Sequence, residues 1–126
     1  MLGTTTANRD AALQRRYRSH LKALIEPLLQ KWHPVIGVPA LDMGIKKMRT
    51  KWGNCNTNTQ QIWLNLELVK KPVQCIEYIV LHGLVHLLER NNTERFSVLM
   101  DSFLPNWRVC RDTLNHGILG CEVWAY

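Results

Sequence analysis

The stretch His82-Gly83-Leu84-Val85-His86 decides how this chain is read. Four residues turn an α-helix by about 400°, so side chains four apart share a face and sit about 6 Å apart along the axis. Two imidazoles placed in this way can address one metal ion, and helices with this spacing bind zinc. In the hydrolytic form of the pattern the second residue is glutamate, the base that takes a proton from metal-bound water. Here position 83 is glycine. A pair of core histidines bonded to carbonyl groups is the reading that needs no metal.

The residues on either side place the motif on a buried helix. Pro72 stands where a missing N–H costs least, at a helix start. Ile76, Ile79, Val80, Leu81, Leu84, Val85, Leu87 and Leu88 then leave almost no polar face, which predicts a helix in the middle of its domain. Cys75 and Tyr78 fall on the histidine stripe. Cys75 is too far along the axis to share a metal and reads as core, whereas Tyr78 is within reach as a hydrogen-bond donor or as a buried ring. Asn91-Asn92-Thr93 breaks the helix, and a third helix runs from there to about Phe103. Pro105 starts a further turn or short helix carrying Trp107, Cys110 and Leu114.

Upstream, Leu13, Tyr17, Leu21, Leu24, Leu28 and Trp32 recur at helical spacing, widened by Ile25 and Leu29. Pro27 predicts a kink or a restart in that helix, and His33-Pro34 its end. Residues 35 to 71 read as β. A basic segment holding Ile45, Met48 and Trp52 leads through the turn cluster Gly53 to Thr59 into Ile62–Leu68, where Ile62, Leu64, Leu66 and Leu68 alternate with Trp63, Asn65 and Glu67. The pattern predicts a hairpin with Ile62–Leu68 as a half-buried strand.

Length and composition bound the rest. The chain has 126 residues, enough for one core. Residues 1–9 read as frayed, 10–116 as the domain and 117–126 as an irregular tail. No apolar run approaches the ~20 residues that span a bilayer, and the N-terminus lacks the pattern of a signal peptide, so a cytoplasmic protein is expected. The four cysteines form no C-x-x-C pair, which removes zinc-ribbon and thioredoxin-like readings and leaves reduced, small core residues. Net charge is +6, with Lys46, Lys47, Arg49 and Lys51 clustered beside Trp52. This favours acidic partners, with nucleic acid as one candidate and a solvated basic face as the other reading.

Three segments together resemble the YgjP-like zinc metallopeptidases, relatives of the SprT-like and other zincin peptidases. They are Met48 to Cys55, Ile62 to Leu68 and Glu77 to His82. Leu87 to Asn91, Glu94-Arg95-Phe96 and Leu104 to Arg108 extend the likeness, which covers roughly residues 15 to 115. The resemblance implies an α+β zincin-like domain with a small antiparallel sheet packed on helices, a zinc cofactor and a peptide or protein substrate. It also implies a strand-rich N-terminal portion that this chain does not contain. In the family the motif glutamate corresponds to Gly83, and a third histidine ligand, aligned on Asn91, Arg95 and Phe96, corresponds to Asn92. The tail departs too, at Cys121 and Val123.

Both central departures carry chemistry. Glycine supplies no base, and general acid–base catalysis is worth roughly 10²–10⁴ in rate. Asn92 is a poor exchange for imidazole on zinc but a good helix N-cap. Glu89 and Glu94 are the nearby carboxylates that stand in for the lost ligand on paper, although Glu89 lies ~10 Å along the axis from His82. The expectation is a metallopeptidase-like domain with metal candidates His82, His86 and Asn92, no intact catalytic base, and impaired or absent hydrolysis. By analogy with zincins, Ile62–Leu68 offers a strand for pairing with an extended peptide, with Trp63 and Asn65 as substrate contacts. The alternative is a basic binding module for nucleic acid or DNA-associated proteins.

Overall fold

A computed structural model describes residues 6–39, 43–48, 51–56, 59, 61–89, 94–115 and 122–125. Helix α1, Thr6–Ile36, opens the chain and leads into strands β1, Met43–Lys46, β2, Lys51–Asn56, and β3, Gln61–Asn65. A 3-10 helix, Leu66–Lys70, follows, then helices α2, Val73–Leu88, α3, Glu94–Phe103, and α4, Trp107–Asn115, and strand β4, Glu122–Ala125. Helix α2 packs against α1, α3, α4 and β2, so all the layers share it. From Cys75 to His86 only Glu77 escapes burial, as the apolar pattern predicts.

Helix α1 continues through both prolines, past the end predicted at His33-Pro34. An interior proline costs about 3 kcal/mol. Leu21, Ile25, Leu29, Trp32 and Ile36 are buried along one stripe, each contributing about 1.5–3 kcal/mol, so packing outweighs the two lost N–H groups. The stop is Gly37, at φ +87°, a left-handed position that glycine adopts without penalty. There the amides of Gly37 and Val38 both donate to the His33 carbonyl, at 2.9 and 3.0 Å. Leu13, placed on the stripe by its spacing, is 43% exposed. Glu77 ties α1 to α2, accepting from Lys31 Nζ at 2.9 Å and Trp32 Nε1 at 2.8 Å.

The sheet is mixed, where an antiparallel one was expected. Its order is β1-β3-β2-β4. The predicted hairpin of β2 and β3 is antiparallel, but β1 pairs parallel with β3, and β4 parallel with β2. Residues 122–125, read from sequence as irregular tail, therefore form a strand. The strand predicted over Ile62–Leu68 stops at Asn65, where the chain turns into the 3-10 helix.

Asn65 makes that turn. Its carboxamide is fully buried. The side-chain oxygen accepts from the amides of Glu67, at 3.0 Å, and Met48, at 3.4 Å. The side-chain nitrogen donates to the carbonyls of Met48, at 3.1 Å, and Lys51, at 2.7 Å. These four bonds use the whole capacity of the amide. They hold the connection that carries the chain from β1 past β3 to β2. Asn65→Ala is expected to cost about 2–4 kcal/mol in chemical denaturation, because several buried backbone groups lose their partner. A loss below about 0.5 kcal/mol would show that water replaces it.

Candidate functional site

His82 and His86 stand one turn apart on α2, as their spacing requires, with ring centroids 4.6 Å apart. Phe96 of α3 completes a triangle, stacked on His86 at 4.5 Å and tilted against His82 at 4.9 Å. The three rings are sealed in: His82 is 5%, His86 0% and Phe96 3% exposed. Tyr78 adds a fourth ring, edge-on to His82 at 5.4 Å and stacked on Trp107 of α4 at 6.1 Å.

Hydrogen bonds fix the orientation of both imidazoles. His86 Nδ1 lies 3.1 Å from the Glu89 carbonyl oxygen. That oxygen only accepts, so Nδ1 carries the proton and Nε2 the lone pair. His82 Nδ1 lies 3.0 Å from the Tyr78 hydroxyl, and its Nε2 is buried. Tyr78 is thus both a buried ring and a polar partner, the two roles its position on the stripe allowed. In metal-binding histidines the nitrogen away from the metal is held by such partners.

Among the described residues the remaining donors do not complete a catalytic zinc site. Such a zinc takes three protein ligands and a water. Among the described residues no cluster of three His, Cys, Asp or Glu side chains is arranged to hold a metal ion. Asn92, the position corresponding to the third ligand, lies outside the described residues. The Glu89 carboxylate pairs with Arg95 at 3.6 Å, and Glu94 is exposed in the first turn of α3. Gly83, buried between His82 and Leu84, brings no carboxylate to the rings.

The other predicted residues lie elsewhere. Trp63 alternates away from the buried Ile62 and Leu64, onto the opposite sheet face. Lys46 Nζ sits 5.0 Å over its ring, and a Cβ on Gly44 of the neighbouring strand would strike it. Asn65 is committed to backbone. Strand β3 is paired on both edges, so the expected peptide pairing along Ile62–Leu68 has no open edge there. Lys47 is exposed and Lys51 half-buried, while Arg49 lies outside the described residues. Lys46 and Trp63 thus gather on the outer sheet face, and the histidines lie within the core.

Sequence reasoning missed Phe96 as a site residue. Its signal was present in the Glu94-Arg95-Phe96 match, but only the packing of α3 on α2 brings its ring to the histidines.

Burial, and next the neighbouring His86, hold His82 well below the ordinary histidine range. Burial likewise pushes the Tyr78 phenol up, so it stays protonated. The His82 shift fixes the sign of a pH dependence. The unfolded chain takes up a proton on His82 below about pH 6.5 and the folded one does not, so its stability contribution is whole above that pH and is lost as pH falls. Urea unfolding is expected to show stability falling below pH 6.5 by up to about 1.4 kcal/mol per pH unit from this group. The slope should flatten in His82→Gln. An unchanged slope would mean that His82 is charged in the fold.

A family model described as YgjP-like, metallopeptidase domain, matches residues 3–117. No curated protein and no solved structure matches the chain.

Proposed function

The chain belongs to the YgjP-like metallopeptidase family, and from that premise we propose that it keeps the peptidase fold while hydrolysing peptide bonds poorly or not at all. The observation that carries this reading is Gly83, buried on α2 between the two histidines, where the hydrolytic motif needs a base. Without that base the site forgoes a factor of roughly 10²–10⁴ in rate. The closed triangle of His82, His86 and Phe96 supports the same reading, since a scissile carbonyl must reach the reacting atoms and these rings are almost wholly covered. The two oriented imidazoles are what remains of a metal centre. The family suggests zinc as the ion and a peptide or protein as what the fold handles.

The double substitution Gly83→Glu with Asn92→His tests the reading. It supplies both a base and a third imidazole. The purified variant is expected to hold about one zinc per chain and to cleave an unstructured fluorogenic peptide at least 100-fold faster than the parent. A parent chain that already cleaves the peptide at the variant's rate would overturn the proposal. So would a folded variant that gains neither zinc nor activity.

A further inference from the structure

Helices α2 and α4 meet along a seam with two matching rungs. Tyr78 stacks on Trp107, with ring centroids 6.1 Å apart. Cys75 precedes Tyr78 by three residues and Cys110 follows Trp107 by three, so each cysteine lies one turn from its ring on the same helix face. The second rung follows from this. The Cys110 thiol donates to the Gln74 carbonyl oxygen, 3.6 Å away, which sets its sulfur against the residue that precedes Cys75. The two cysteines are 35 residues apart in sequence, and the packing of α2 on α4 brings them to one seam.

We propose that Cys75 and Cys110 are a redox-modification site, closing to a disulfide on exposure to a hydroperoxide. The geometry assigns the roles. Cys110 is the more exposed of the two, at 8% against 3%. Its sulfur attacks hydrogen peroxide: the O–O bond breaks, water leaves, and Cys110 becomes the sulfenic acid. The Cys75 sulfur then displaces the sulfenic oxygen. The S–OH bond breaks, the S–S bond forms, and the Cys75 proton leaves with the oxygen as a second water. Two thiols and one peroxide give one disulfide and two waters.

Burial raises both thiols above their ordinary range, Cys75 to about 11, so few thiolates exist at neutral pH and closure is slow there. The reaction should accelerate about tenfold per pH unit between pH 7 and 9. Once formed, the bond fastens the first turn of the histidine helix to α4. Cys55, buried on β2 opposite Ile62, is the internal control.

The experiment treats the reduced full chain with hydrogen peroxide, alkylates it under denaturing conditions and maps the monomer's peptides. The expected product is a Cys75–Cys110 cross-link with Cys55 still alkylated. Its melting temperature should exceed that of the reduced chain by about 5 °C or more, and Cys75→Ser and Cys110→Ser should each abolish the gain. The peptide map of the unsubstituted chain stands even if either serine variant fails to fold. A cross-link through Cys55 or Cys121 would overturn the proposal. The same holds for sulfinic acid at Cys110 without a cross-link, or for four thiols left intact.

Discussion

The structure depends on burying two imidazoles in a helix that is otherwise apolar on nearly every side. Moving an unsatisfied polar ring from water into such a core costs several kcal/mol. Two bonds reduce that cost, from His86 Nδ1 to the Glu89 carbonyl and between His82 Nδ1 and the Tyr78 hydroxyl. Both come from the ends of short local arcs, four residues back and three residues on. Helix α2 thus supplies much of the polar satisfaction its own histidines need, and the rest of the fold is free to close around them with apolar surface. Phe96 and Trp107 do so from α3 and α4.

This arrangement separates scaffold from chemistry. The features that orient the histidines are present: the helical spacing, the Nδ1 partners and the aromatic support. What hydrolysis adds to such a scaffold is a carboxylate one residue along the helix, and there the chain has hydrogen in place of a side chain. A helix interior pays about 1 kcal/mol for glycine relative to alanine, so the residue at 83 is not explained by helix stability. The fold tolerates it because α2 is held by packing on α1, α3, α4, β2 and the 3-10 helix.

Much of this was legible in the chain. The helices α2, α3 and α4 follow from apolar periodicity and proline placement, and the hairpin from alternation across a turn cluster. The family likeness is borne out by the match over residues 3–117. The misread parts have a common cause. Proline rules weigh one backbone bond, whereas the end of α1 is set by a stripe of five buried side chains and by Gly37. Parallel pairing of β1 with β3 brings together segments whose partnership no local pattern encodes. Asn65 looked like a solvent-facing strand residue because alternation carries no information about a buried turn, and its four bonds reach across 14 to 17 residues or into the next element. Phe96 was visible as a family residue, but its contact with the histidines depends on tertiary packing.

Among the described residues, Tyr78, the Glu89 carbonyl and Phe96 hold His82 and His86, and no third donor is arranged beside them to make a catalytic metal centre. Thermal unfolding of the purified chain, recorded with a chelator and again with equimolar zinc, tests it most directly. Superimposable melting curves are predicted, because a ligand stabilises only in proportion to its binding to the folded state. A melting temperature that falls by several degrees on chelation and is restored by zinc would contradict it, and would place a complete metal site in the folded chain.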